Sequence, residues 1–242
     1  MLKHLTKREK DSIILLLLII LLLIAMSFEG EGTVALKNHS LDDKIITAAR
    51  KEFTEFGFQR ASINKIAERA GVTTGAIYTR YKNKDALFCD LLQNILVIFQ
   101  TKAEPIAVEY HKSEISKRSS DFLSAMASEE DVYLEILFDH YEEAVLLFCK
   151  SEGSSVESII KELIRHKVCE TVLFFERIST RPVDRNALEL LMHSQFYFYR
   201  QLLESGYEKK EAVSCMKTVQ SFMASGWKHL FEQLTDTNHR RA

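Results

Sequence analysis

The chain has 242 residues, a formal net charge of −2 and a hydrophobic fraction of 46%. This length allows one or two domains, and it suits a small domain followed by a larger one. The near-neutral charge argues against a general nucleic-acid coat protein.

The first 38 residues are predicted to be an apolar tract followed by a polar tether. Fourteen consecutive apolar residues run from Ile13 to Met26, behind a cluster of Lys and Arg. As a helix they would span about 21 Å, which is short of a hydrocarbon core of about 30 Å. The positive cluster should also stay in the cytoplasm and send everything after the tract outside.

Three explanations of this tract stay open. Translation starts downstream, for example at Met26, or the tract is a membrane anchor or interfacial segment, or it is a cleaved export signal. We favour a downstream start, because the residues that follow predict a cytoplasmic protein. A membrane is a partner only if residues 13–26 are translated and inserted.

A helix is predicted from Leu41 to Phe56. Leu41, Ile45, Ala49 and Phe53 recur every four residues, which is the period of an amphipathic helix with one buried face. Gly57 directly after it is a typical C-terminal stop.

Two short helices follow, in the pattern of a helix-turn-helix. Ser62 is positioned to cap the first, Gly71 to end it, and Thr73 to cap the second. Ile77 and Tyr81 hold the second helix on the core, which leaves the other residues of that helix facing outward. They are Thr74, Gly75, Ala76, Tyr78, Thr79 and Arg80. A short helix with small residues at its start suits entry into a DNA major groove.

Asn83 is predicted to cap the next helix, with Lys84 in its first turn. A cation there opposes the helix dipole, but a bound phosphate would attract both Lys84 and the free N–H groups of the helix end. An ordinary helical hairpin is the alternative for this segment. The combination of caps, glycines and exposed polar residues favours DNA binding.

This segment resembles the TetR/AcrR family of bacterial transcriptional regulators over about residues 41 to 92. The matching positions are Ile66, Ala67, Ala70, Gly71, Val72, Gly75, Tyr78, Tyr81, Lys84 and Leu87. The resemblance implies that Ser62 and Lys84 hold phosphates and that Tyr78 lies along the DNA backbone. It also implies that five residues approach the bases, namely Thr73, Thr74, Gly75, Thr79 and Arg80. Arg80 is the best candidate for guanine, since its fork can bond two acceptors of that base.

Charge is distributed unevenly along the chain. Residues 41–88 hold nine Lys or Arg and six Asp or Glu, whereas residues 89–242 hold eighteen and twenty-four. The net charge of +3 therefore lies on the predicted DNA-binding segment. We expect moderate DNA affinity that falls with added salt.

From residue 87 onward the pattern is helical almost throughout. Helices are predicted near 84–103, 105–115, 119–126, 129–150, 155–179, 183–205 and 208–234. The fold class is therefore all-α, with a three-helix helix-turn-helix domain at 39–88 and a helical ligand-binding and dimerisation domain at 89–242. The stretch 151–155 is predicted to be a turn with a serine as the next N-cap, with a ligand loop as the alternative.

The second domain supplies candidates for a ligand pocket and for a dimer interface. The pocket candidates, for a small apolar or aromatic ligand, are Phe138, Tyr141, Phe174 and Phe196. Apolar stripes on the last two helices exceed what one helix pair needs, and family members dimerise through these helices. The interface candidates are Leu191, Tyr199, Phe222 and Trp227.

The sequence therefore predicts a ligand-responsive transcriptional regulator, a repressor that binds a palindromic DNA operator as a homodimer. It is not expected to be an enzyme or to hold a cofactor or metal. A helical metalloenzyme is the rival, suggested by Glu135, Asp139, His140, Glu143, Glu162, His166 and Glu170, although their spacing departs from that of di-iron bundles. A membrane-tethered regulator is a further alternative with the same DNA-binding mechanism. Cys89, Cys149, Cys169 and Cys215 lack the close spacing of a zinc site and are expected to be reduced, mostly buried thiols.

Overall fold

A computed structural model of the chain describes residues 39–103 and 119–236, and their regular secondary structure is helical. The apolar tract and the helix predicted at 105–115 lie outside the described residues. Contacts divide the chain into two compact units. Unit 1 holds the described residues up to Asn94 together with Lys150–Ile159, and unit 2 holds Ile95–Cys149 and the described residues from Ile160 onward.

The helices are named here in chain order. They are α1 (His39–Arg60), α2 (Ile63–Ala70), α3 (Thr74–Tyr78), α4 (Lys84–Ile98), α5 (Ser119–Asp139), α6 (Tyr141–Cys149), α7 (Ser155–Ile178), α8 (Arg185–Glu204) and α9 (Lys209–Thr235). A π-helical turn, Phe99–Ala103, follows α4 directly. No helix within residues 39–103 or 119–236 combines the length and apolarity needed to cross a membrane.

Gly57 interrupts α1 where the sequence predicts its end. Its backbone angles are φ 72° and ψ 166°, a conformation that side-chain-bearing residues rarely adopt. The next N–H group, that of Phe58, leaves the helix and donates to the carbonyl oxygen of Lys150 at 2.8 Å. One further helical turn then completes α1, four residues beyond the predicted end.

The core of unit 1 is built on the apolar faces that the periodicity predicted. Ile45, Ala49 and Phe53 of α1 are fully buried, and so are Ile66 of α2 and Ile77 of α3. The ring of Phe53 lies 4.8 Å from that of Phe88 on α4, in an edge-to-face arrangement. These contacts hold the helix-turn-helix on α1 and α4.

Unit 2 has an aromatic core. The rings of Phe122, Phe174, Phe175, Trp227 and Phe231 form one cluster, with Phe122 stacked on Phe174 at 5.5 Å. Burial of five large rings supplies much of the apolar area that stabilises this unit.

Two expectations, one for a helix of unit 2 and one for the cysteines of the whole chain, are wrong. The break predicted near residues 127 and 128 is absent, since the Ser128 hydroxyl bonds the Ser124 carbonyl at 3.0 Å within a continuous α5, and the break comes at His140. Of the four cysteines, only Cys89 is buried, and Cys215 is exposed. Helical neighbours in the sequence do not decide which face of the helix a cysteine occupies.

Candidate DNA-binding surface

The turn between α2 and α3 has the geometry of a helix-turn-helix. Gly71 adopts the left-handed conformation, with φ 68° and ψ 34°, and its N–H group bonds the carbonyls of the last turn of α2. Val72 N–H adds a bond to the Ala67 oxygen at 3.0 Å. Gly71 therefore ends α2 and turns the chain toward α3.

Thr73 caps α3, as the sequence predicted. Its hydroxyl accepts a hydrogen bond from the Ala76 N–H group at 3.2 Å. The Thr79 hydroxyl donates to the Gly75 carbonyl at 2.8 Å, which closes the other end of the helix. Ile77 is fully buried, so α3 is fixed by its inner face and both of its ends.

The outer face of α3 is open. Gly75, Tyr78 and Thr79 are exposed, and the Tyr78 side chain has a relative exposure of 54%. Thr74, Ala76 and Arg80 are half-buried, so their predicted outward position holds only in part. Contact of these residues with DNA stays a prediction.

Arg80 is folded back onto α1. Its Nε atom bonds the Asp42 carboxylate, and its Nη1 atom donates to the Ala76 carbonyl at 3.1 Å. Both side chains are about one quarter exposed. The guanidinium that the sequence assigned to guanine is therefore shared with an acid 38 positions earlier in the chain.

Lys84 has an internal role that the sequence analysis missed. Its Nζ atom donates to the carbonyls of Gln59 and Ala61, each at 3.1 Å, and lies 4.7 Å from the centre of the Phe58 ring. Desolvation lowers the pKa of its ammonium group. These carbonyls, at and just beyond the end of α1, attract a cation by themselves. The position of Lys84 therefore does not require a phosphate, and phosphate binding stays a prediction.

Ser62 lies at the N-cap of α2, but its side chain makes no cap hydrogen bond. The Ser62 N–H group instead donates to the buried Glu52 carboxylate at 3.2 Å. The second Glu52 oxygen lies 3.4 Å from Arg69 Nε, and Arg69 also bonds Glu55 at 2.8 Å. The predicted serine cap is therefore absent, and a carboxylate of α1 fastens the start of α2 to α1.

The start of α4 is joined to residues 150–159 within unit 1. Asn83 caps α4 by accepting from Ala86 N–H at 2.8 Å, as predicted. Asp85 accepts from the N–H group and the hydroxyl of Ser155, at 2.9 and 2.6 Å. Ser154 is the predicted serine cap of α7, since its hydroxyl accepts from Glu157 N–H at 3.2 Å. The stretch 151–155 is therefore a capped turn that packs on the helix-turn-helix unit.

The four pocket candidates of unit 2 do not form one described group. Phe174 is buried in the aromatic core. Phe138 contacts Tyr141, with ring centres 5.9 Å apart, and the Tyr141 hydroxyl donates to the Leu203 carbonyl at 2.8 Å. Phe196 is half-buried. Phe174 is a core residue because its ring is in contact with those of Phe122, Phe175 and Phe231.

The interface candidates separate into two kinds. Tyr199 and Trp227 are 4% and 3% exposed, so they are core residues of unit 2 and not surface residues. Leu191 and Phe222 are exposed, and Phe222 has a relative exposure of 78%. Helical periodicity selected Tyr199 and Trp227 because α8 and α9 carry apolar residues on more than one face.

Comparison with known proteins identifies the helix-turn-helix. Residues 45–91 match the model of the bacterial regulatory proteins, tetR family. The uncharacterized HTH-type transcriptional regulator YhgD of Bacillus subtilis is 39% identical over 67 residues, which are 27% of this chain and 35% of that protein. An HTH-type transcriptional regulator of Staphylococcus aureus strain MRSA252 is 31% identical over 113 residues, which are 46% of this chain and 54% of that protein. The chain spans about a third to a half of the length of these relatives.

The fold extends the likeness to both units. A TetR-like transcriptional regulator from Rhodococcus sp. RHA1 has a TM-score of 0.53 and 15% identity, with 77% of this chain and 96% of that chain covered. At this identity the likeness shows the fold alone, which is all-α with an N-terminal helix-turn-helix and a helical second domain. The matched relatives are transcriptional regulators and not enzymes. Over residues 45–91 the chain is therefore similar to the tetR family of bacterial regulatory proteins.

Proposed function

We propose that the protein is a ligand-responsive transcriptional repressor that binds a palindromic operator as a homodimer in the cytoplasm. In this proposal α3 enters the major groove, and residues around α2 and α4 hold the flanking phosphates. A small molecule bound in the helical second domain then lowers the affinity for DNA. A differential binding energy of about 1–3 kcal/mol is enough for such coupling.

The observation that carries the proposal is Gly75. Its backbone is helical, and glycine inside a helix costs about 1 kcal/mol relative to alanine. A Cβ atom built at this position meets only the Thr73 hydroxyl, at an ordinary contact distance of 3.7 Å. No contact within the described residues therefore requires a glycine at this position. Close approach of a base edge or a DNA backbone would require one.

Tyr78 and Thr79 support the same surface. Both are exposed beside Gly75 on the outer face of α3, and a large exposed tyrosine is suited to pack along a sugar-phosphate backbone. Ser62 stays a candidate phosphate ligand because its side chain is not used as a cap. The net charge of +3 on residues 41–88 favours DNA at this unit.

Four exposed apolar side chains support a homodimer. Leu190, Leu191 and Tyr197 lie on α8 and Phe222 lies on α9, and each is at least 38% exposed in the single chain. Exposed apolar groups at this density on two long helices are typical of protein interfaces. We place the dimer interface on them, with Leu191 and Phe222 kept from the sequence prediction. Two copies would present two α3 helices to two half-sites.

The rival metalloenzyme has no supporting observation. Within the described parts of the chain no group of three or more His, Cys, Asp or Glu side chains could hold a metal ion. Three of the acids that suggested the rival are in exposed ion pairs, since Glu135 pairs with Lys102, Asp139 with Lys209 and Glu162 with Arg165. These acids form charged surfaces.

Fluorescence anisotropy tests the proposal, with the protein titrated onto duplex from the region upstream of its own gene and onto a scrambled duplex. We expect preference for the upstream duplex, and binding that weakens with salt. Arg80→Ala should mainly reduce the preference, by about 1–3 kcal/mol. Asp42→Asn is the matched control, because it breaks the same ion pair while keeping the guanidinium. Equal, salt-insensitive binding to both duplexes, or no binding to any genomic duplex, would refute the proposal.

A further inference from the structure

Two consecutive acids of α5, the half-buried Glu129 and the buried Glu130, have different partners in unit 2. Glu129 binds the ammonium of Lys167 at 2.6 Å and accepts a hydrogen bond from the Tyr133 hydroxyl at 2.9 Å. Its charge is therefore balanced by an opposite charge. This pairing is the usual arrangement for a buried carboxylate.

Glu130 has no such partner. It is 8% exposed, and the Gln195 amide donates to it while the Gln220 amide faces it. Across residues 39–103 and 119–236, no ammonium, guanidinium or imidazole group pairs with this carboxylate. Burial raises its pKa to about 6, so the group is still mostly ionised at neutral pH. Within the described residues, a buried carboxylate therefore has amide neighbours and two nearby acids, Glu129 and Asp131, but no paired cation.

A second observation marks the same place. The Tyr199 side chain is 4% exposed and lies beside Gln195 and Glu130, yet its hydroxyl has no hydrogen-bond partner among the described residues. The Gln220 amide nitrogen, which faces Glu130, is likewise buried and has no hydrogen-bond partner of ordinary geometry among the described residues. Buried polar atoms in folded proteins nearly always have partners. Polar groups from three helices therefore converge where a partner is missing.

Aromatic rings lie beside these polar groups. The Tyr199 ring packs edge-to-face on Tyr133, with centres 5.8 Å apart, and Tyr133 contacts Phe99 at 5.9 Å. Aromatic faces attract cations as well as apolar groups.

We infer that Glu130 and Tyr199 form a subsite for the protonated amine of a small molecule with an apolar or aromatic body. An ammonium group has three donors and no acceptor, so the Glu130 carboxylate and the Tyr199 oxygen can both accept from it. It would give Glu130 the opposite charge that Lys167 gives Glu129. A carboxylate or phosphate ligand would be repelled by Glu130. This inference rests on the proposed control of unit 2 by a ligand.

Calorimetric titration of the full chain with three probes of one skeleton tests the subsite. The probes are 4-phenylbutylamine, 4-phenylbutan-1-ol and 4-phenylbutanoate. We expect the amine to bind at least about tenfold more tightly than the alcohol, as for a hydrogen bond to a charged group. The carboxylate should bind most weakly.

Variants assign this preference to the subsite. Glu130→Gln should bring the amine to within about twofold of the alcohol, because the shape is kept and the charge is removed. Asp131→Asn is the matched control, since it removes the same charge from an exposed neighbour on the same helix. Tyr199→Phe should weaken the amine several-fold and leave the alcohol less affected. Thermal melts followed by circular dichroism confirm that each variant is folded.

Two results would overturn the inference. One is an amine that binds no better than the alcohol, and the other is a preference that survives in Glu130→Gln. Binding of the upstream duplex, measured on the same preparations, separates this inference from the proposed function. Duplex binding without an amine preference removes the subsite alone. An amine preference without duplex binding removes the regulator and leaves the binding site.

Discussion

Among the described residues each unit buries one carboxylate, and the two carboxylates have different surroundings. Glu52 of unit 1 is 2% exposed, and it bonds the Ser62 N–H group and faces the Arg69 guanidinium. Glu130 of unit 2 is almost as deeply buried, but it bonds an amide, and no cation among the described residues pairs with it. The first carboxylate completes the structure of the helix-turn-helix. The second is arranged for a partner that the described chain does not supply.

Glu52→Gln should have the largest effect on stability. It removes a charge-assisted bond that joins α1 to α2 and turns an amide toward Arg69. We expect a loss of about 2 kcal/mol in the free energy of unfolding, measured by chemical denaturation. Glu55→Gln, which removes the more exposed partner of the same arginine, should cost much less. Equal losses in the two variants would contradict the internal role of Glu52.

Glu130→Gln should have the opposite effect, an increase in the free energy of unfolding. The folded pKa of Glu130 is about 6, against an ordinary value of 4.5. The folded state therefore prefers the protonated group, and wild-type stability falls as the pH rises through this interval. We expect the variant to be more stable above pH 6 by about 1–2 kcal/mol, with the gain vanishing below pH 4.5. Denaturation at pH 4.5 and pH 7.5 measures it, and a variant less stable than wild type at pH 7.5 would contradict the comparison.

Lys84→Ala extends the comparison to a cation. The variant loses two bonds to the carbonyls of Gln59 and Ala61 and the contact with Phe58, so stability should fall by about 1 kcal/mol. Lys44→Ala removes the same charge from an exposed position of α1 and serves as the control. Both should weaken DNA binding through the lost charge, but only Lys84→Ala should lower the melting temperature. If neither variant changes the melting temperature, Lys84 does not stabilise the fold and its role is in DNA binding alone.

Gly75→Ala should have the smallest and most informative effect on stability. It should raise the free energy of unfolding by up to about 1 kcal/mol, since alanine favours the helix and the added methyl group meets no backbone atom. It should at the same time weaken operator binding, because the methyl group would stand between α3 and the DNA. Melting temperature and anisotropy on one preparation separate the two effects. Unchanged operator affinity would show that α3 does not approach DNA closely at Gly75.

Much of unit 1 could be predicted from the sequence because local chemistry fixes it. Gly57, Gly71, Thr73 and Asn83 each mark a helix end through a conformation or a hydrogen bond within a few residues. The missed contacts join residues far apart in the chain, with Arg80 38 positions from Asp42 and Asp85 70 positions from Ser155. Such contacts depend on tertiary packing, which periodicity does not reveal.

In unit 2, helical periodicity does not distinguish buried from exposed apolar residues. Its helices carry apolar residues on more than one face, so the pattern could not separate the buried Trp227 from the exposed Phe222. The same ambiguity placed Phe174 in a pocket, although it belongs to the aromatic core. The burial of Glu130 was not predicted, because three consecutive acids, Glu129, Glu130 and Asp131, are typical of a solvent-exposed surface.

DNase footprinting of the full chain on the region upstream of its own gene tests the central claim most directly. The account predicts two protected half-sites with centres about 10 base pairs apart, or a multiple of that spacing, related by a two-fold axis. The protection should weaken in Gly75→Ala. Absence of protection on this region and on all other genomic fragments would contradict the claim that α3 reads DNA.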